Sequence, residues 1–115
     1  MQRLYECAML DKVDLIVLEA IDEALSILGE KGKNAVYYFF EREYLLEKED
    51  IPKNLTKFDD CLRLVFGVGA NVLEKHIIST LMKKASVELE LDADLDFVES
   101  MEIVMGIIRK RISMT

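Results

Sequence analysis

Apolar residues in the first part of the chain recur at steps of three and four. Between positions 11 and 28 they are Val13, Ile16, Val17, Ala20, Ile21, Ala24, Leu25 and Leu28, the spacing that lines one side of an α-helix. Asp11 is placed to cap its start, and Gly29 followed by Gly32 supplies a stop and a turn. Positions 33–46 then carry Ala35, Val36, Tyr37, Tyr38, Phe39, Phe40, Tyr44 and Leu45. Such an aromatic run would suit a strand, but the four-residue step from Phe40 to Tyr44 predicts a helix with two buried faces. Pro52, the one proline, marks a connection over 48–54.

A third helix is predicted over 55–66, with Phe58, Leu62, Val65 and Phe66 inward, Asn54 or Thr56 as its cap, and Gly67 and Gly69 at its end. A fourth fits 70–85. Val72, Leu73, His76, Ile77, Thr80 and Leu81 form its apolar face, and Glu74, Lys75, Lys83 and Lys84 fall mostly on the other. The last begins near Asp94 or Asp96 and runs to about 112; Phe97, Val98, Met101, Ile103, Val104, Met105, Ile107 and Ile108 make it apolar enough for two covered faces. Positions 87–92 alternate apolar and acidic residues as a strand does, and only the equally ambiguous 3–10 could pair with them. The predicted fold class is all-α: a single domain over 1–115, a compact bundle of about five helices, with short extended segments near 3–10 and 87–92 left open.

At 115 residues, 51% hydrophobic and 32% charged, the chain can bury one core and has no room for a second domain. Acidic or basic residues interrupt every apolar run, so no membrane insertion is expected. Positions 1–10 do not read as a secretion signal, so a cytoplasmic location is expected, with Cys7 and Cys61 as thiols. A net charge of −7 makes nucleic acid a disfavoured partner. The basic run Arg109, Lys110 and Arg111 is expected to complement the negative end of the last helix.

Catalytic chemistry is hard to build from this sequence. His76 is the single histidine, which excludes a histidine metal cluster or a two-histidine acid and base pair within one chain; a packing role is expected for it. Asp92, Asp94 and Asp96 lack the central glycine and distal glutamate of a calcium loop, and read as a solvated helix start, while Asp59 and Asp60 are paired acids on the third helix. Gly67, Val68 and Gly69 precede a helix without the lysine and hydroxyl residue of a phosphate loop. No catalytic, cofactor or metal residues are therefore assigned. Tyr37, Tyr38, Phe40 and His76 stand as a candidate ligand pocket, and Met101, Val104, Met105 and Ile108 as a candidate interface.

The stretch ALSILGEKGKNAVYYFFEREYLLEKEDIPKN over 24–54, then Phe58, Leu62 and FGVGANVLEKHII over 66–78, resembles the archaeal Nitrosopumilus output domain family. The shared features are the Leu-Gly-Glu helix end, the Lys-Gly-Lys turn into an aromatic helix, the Asp-Ile-Pro connector and the Phe-Gly-x-Gly-Ala turn. Leu55 stands where the family commonly has proline, and the resemblance spans about half the chain. It implies a small helical domain working beside archaeal signalling proteins, with no catalytic residues to carry over. The expected function is a noncatalytic output or protein-interaction module, not an enzyme, that self-associates as a homodimer. A sensor of an apolar or aromatic small molecule is the alternative, and a DNA-binding regulator the third.

Overall fold

Asp11 opens the first helix with a reciprocal cap. Its carboxylate accepts from the Asp14 backbone N–H at 2.8 Å, while the Asp14 carboxylate accepts from the Asp11 N–H at 3.4 Å, so two amides with no partner inside the helix are satisfied. The structure, a computed structural model, describes residues 11–113; the segment 3–10 and Cys7 lie outside them. Helix α1 spans Lys12–Leu25 and buries Val13, Val17, Ala20, Ile21, Ala24 and Leu25, the stripe expected from the spacing.

The chain leaves α1 earlier than expected, through a 3-10 turn at Ser26–Leu28. Gly29 has a φ of +81°, a conformation that side chains resist, and α2, Gly29–Tyr44, begins there. Gly32 is no part of the turn: it lies inside α2, where an added Cβ would stand 3.1 Å from the Leu28 Cβ. The aromatic run is helical as read, but α2 buries only the narrow stripe Lys33, Val36 and Phe40. One face is covered, not two. Pro52 sits within a 3-10 segment, Lys48–Lys53, whose Ile51 and Pro52 are buried, so this connection packs as part of the core.

Helices α3, Leu55–Phe66, and α4, Ala70–Ala85, have the predicted bounds, and Gly67, at φ +57°, makes the turn between them. Helix α5, Phe97–Ser113, starts from a second reciprocal cap between Asp96 and Glu99. No strand occurs among the described residues, and 87–92 is irregular, with Val87 buried. The Val87 N–H donates to the Met82 carbonyl at 2.9 Å and its side chain packs into the core, so the alternating segment is tied to the end of α4 without a sheet among the described residues. The result is an all-α bundle in which α1 lies mainly along α4, and α4 meets α5.

Lys110 and Arg111 stand in the last turn of α5 as expected, but the two arginines of the basic run also reach other helices. Arg109 crosses to the start of α1, pairing with Asp11 and, at 3.4 Å, with Asp14. Arg111 caps α4 instead, donating to the carbonyls of Ala85 at 3.1 Å and Ser86 at 2.9 Å. Asp14 is fully buried, with Lys53 at 3.9 Å as its other cation. Removing one partner of a buried charge costs more than the pair contributes. Arg109→Met is expected to lower the unfolding free energy by about 2 kcal/mol in urea denaturation; an unchanged midpoint would show that Lys53 and the cap suffice for Asp14.

Candidate functional site

Four of the six residues predicted for the inward face of α4, Leu73, Ile77, Thr80 and Leu81, are buried, but Ala70 and Glu74 stand where Val72 and His76 were expected. Ala70, Leu73, Glu74, Ile77, Thr80 and Leu81 are buried, whereas Val72 is 67% exposed and His76 is exposed. Both sets have helical spacing, so period alone does not choose between them. Ala70, buried as the helix leaves the Gly67–Gly69 turn, and a partner for Glu74 on α3 go with the observed rotation.

That partner is Arg63. Its Nε donates to Asp59 Oδ1 at 3.1 Å, one turn back on α3, and its NH2 group reaches Asn71 Oδ1 at 3.1 Å and Glu74 Oε1 at 3.0 Å. The α3–α4 turn thus folds one guanidinium over two carboxyls. Glu74 is only 4% exposed. Its Oε2 is buried and receives no hydrogen bond from any described residue.

Burial first, and then the neighbouring Asp59 carboxyl, push the Glu74 carboxyl up to about 8, against the pull of Arg63 and with a further push from Asp96. With that value Glu74 is mostly protonated at neutral pH.

Glu74 and Arg63 stand in a cleft of about 950 Å³ between α4, the 86–96 connection and the start of α5. Ile78, Met82, Val87, Leu91, Leu95 and Phe97 supply its apolar wall. Asn71, Glu88, Asp92 and Asp96 add polar groups, with Lys75 and Lys83, both exposed. Among the described residues no group of His, Cys, Asp and Glu is arranged to hold a metal ion.

A second cleft, of about 820 Å³, is lined by Asp14, Lys53, Asp60, Glu102, Met105 and Arg109. Its buried acid is fully engaged by Arg109, Lys53 and the helix cap. The first cleft has the buried carboxyl oxygen without a partner, so it is the candidate site.

The residues singled out from the sequence lie elsewhere. Tyr37 is half-buried and donates its hydroxyl to Asp22 at 3.3 Å, with Lys48 Nζ 5.0 Å from its ring centre. Burial and then the Asp22 charge hold the phenol above its usual range. At Asp22 burial alone would raise the carboxyl, but hydrogen bonds from Lys48 and Lys33, each 3.1 Å, hold it below the usual value. Tyr38 is exposed beside Arg42, and Phe40 is fully buried. With His76 exposed on α4, these four line neither cleft.

Met101, Val104, Met105 and Ile108 are buried within the chain, so they are core and not an interface: the apolar excess of α5 is used by its neighbours. Val65, expected inward, is 40% exposed, and Cys61 takes its place in the core, where burial pushes its thiol up. Compared with known proteins, the chain matches no family model, no curated protein and no solved structure.

Proposed function

We propose that this chain is a noncatalytic helical interaction module that self-associates, working in the cytoplasm in the output role that its resemblance to the archaeal family implies. The supporting observation is a run of exposed apolar side chains at the α3–α4 corner: Leu64 at 66%, Val65, Val68 at 87% and Val72 at 67%. Water-exposed apolar groups gathered at one corner favour burial against a partner. The corner replaces the α5 positions as the surface for a second copy.

Net charge opposes self-association of an acidic chain, and salt screens it. Light scattering over a dilution series is therefore expected to show a monomer–dimer equilibrium that tightens with salt, and Leu64→Lys with Val72→Lys to leave only monomer. A wild-type mass that stays monomeric at every concentration and salt would overturn the reading.

The second reading, a small-molecule sensor, moves from the aromatic residues to the α4–α5 cleft, on the strength of the spare Glu74 oxygen and the apolar wall. No helix is long and apolar enough to cross a membrane among the described residues.

A further inference from the structure

The cleft has two unlike ends. At one, Glu74 is nine-tenths buried and keeps Oε2 without a donor, while Oε1 is held by Arg63. Asp59 and Asp96 bear on it with negative charge, which Arg63 offsets. That guanidinium is shared with Asp59 and Asn71. Along the other end Ile78, Met82, Val87 and Leu91 offer aliphatic surface.

We propose that the α4–α5 cleft binds a primary ammonium group carried on an aliphatic stem, the ammonium donating to Glu74 Oε2 and the stem lying along Ile78, Met82, Val87 and Leu91. An ammonium brings three donors and a positive charge, which suits a buried carboxyl whose second oxygen has no partner. A carboxylate ligand would meet Asp59 and Asp96, and an alcohol brings one donor and no charge to replace the proton of Glu74. The carboxyls do not converge as metal ligands do, so an extended organic cation fits better than a bare ion.

Oε2 is closed off from water, so the Glu74 side chain turns toward the cleft it already lines as the ligand enters. Binding then exchanges charges: the protonated amine enters with its proton, the Glu74 carboxyl releases its own to solvent, and the bound pair is ammonium with carboxylate. Affinity should rise with pH while Glu74 is mostly protonated, by up to about tenfold per unit. Lys75 and Lys83 also line the cleft; both are exposed, so solvent and salt screen their repulsion of an ammonium, which weakens the preference for a cation without reversing it. The proposal deepens the sensor reading and is independent of self-association.

The test is an NMR titration of the full chain with n-hexylamine, hexan-1-ol and hexanoate at pH 6, 7 and 8. Saturable shifts confined to residues of the cleft are expected for hexylamine, with affinity increasing across that range. Glu74→Gln, which keeps the shape and removes the charge, should weaken hexylamine at least about tenfold and abolish the pH dependence. Leu91→Ser should weaken it without changing that dependence.

An acetylated and amidated Ala-Lys-Ala peptide presents the same ammonium from a protein. Tighter binding of the peptide assigns the source to a partner's lysine, and tighter binding of hexylamine to a free amine. Hexan-1-ol or hexanoate binding as tightly as hexylamine would overturn the ammonium assignment and leave a ligand cleft. No saturable shift with any of the three would remove the sensor reading as well.

Discussion

Phe58→Ala is expected to lower the unfolding free energy by about 3–5 kcal/mol. Phe58 on α3 is fully buried, and its ring meets Phe40 of α2 edge-on at 5.8 Å and Phe97 of α5 at 6.2 Å. Three helices separated in sequence are joined through one side chain, so truncation removes contacts from all of them and leaves a cavity that none can fill alone. A domain of this kind has only about 5–15 kcal/mol in total. The variant should therefore show a much lower urea midpoint with little change in slope. A loss below about 1 kcal/mol would mean that the neighbouring helices collapse into the space.

The second large effect has the opposite sign. Glu74 titrates near 8 in the folded chain against a usual value of 4.5. Below the usual value both folded and unfolded forms hold the proton, and stability has no slope from this group. Between the two values the folded form holds more protons than the unfolded one, so stability falls as pH rises, by up to about 1.4 kcal/mol per unit. Above the folded value the penalty is complete.

Glu74→Gln has no proton to lose, and its amide can donate to Asp59 at every pH. It is expected to match wild type near pH 4.5 and to exceed it by a few kcal/mol at pH 9. Parallel curves for the two proteins from pH 5 to 9 would contradict a neutral buried Glu74. Asp11 and Asp22 act at the acid end. Burial raises each, but the Asp14 amide and Arg109 at Asp11, and Lys48 and Lys33 at Asp22, hold both below 3.8. Their stability is present above that value and is lost as pH falls through the folded values.

Much of the helical order was legible because it is written locally. Three- and four-residue spacing located α1, and the glycines of the Phe-Gly-x-Gly-Ala turn set the junction of α3 and α4 to the residue. What failed depended on contacts distant in sequence. The face of α4 was misassigned because a charged residue reads as outward until its partner is known, and Arg63 stands eleven positions earlier across a turn.

The same holds for α5, whose apolar excess reads equally well as core or interface until its neighbours are in place. Gly32 reads as a turn signal but lies within a helix, close to Leu28. His76 was drawn into an apolar face by a spacing that Glu74 satisfies instead. The available sequence cue for the site was the pair of steps from Asp59 to Arg63 and from Arg63 across Gly67 to Glu74, which could have suggested an ion-pair chain.

The chemistry of the cleft turns on the protonation of one carboxyl, which carbon-13 NMR can follow directly. With glutamate labelled at the side-chain carboxyl, and Glu74 assigned from the Glu74→Gln spectrum, one resonance is expected to titrate near pH 8 and to move toward the carboxylate position at pH 7 when n-hexylamine is added. A Glu74 resonance that titrates near 4.5, with no response to the amine, would contradict both the neutral buried acid and the cationic ligand inferred for it.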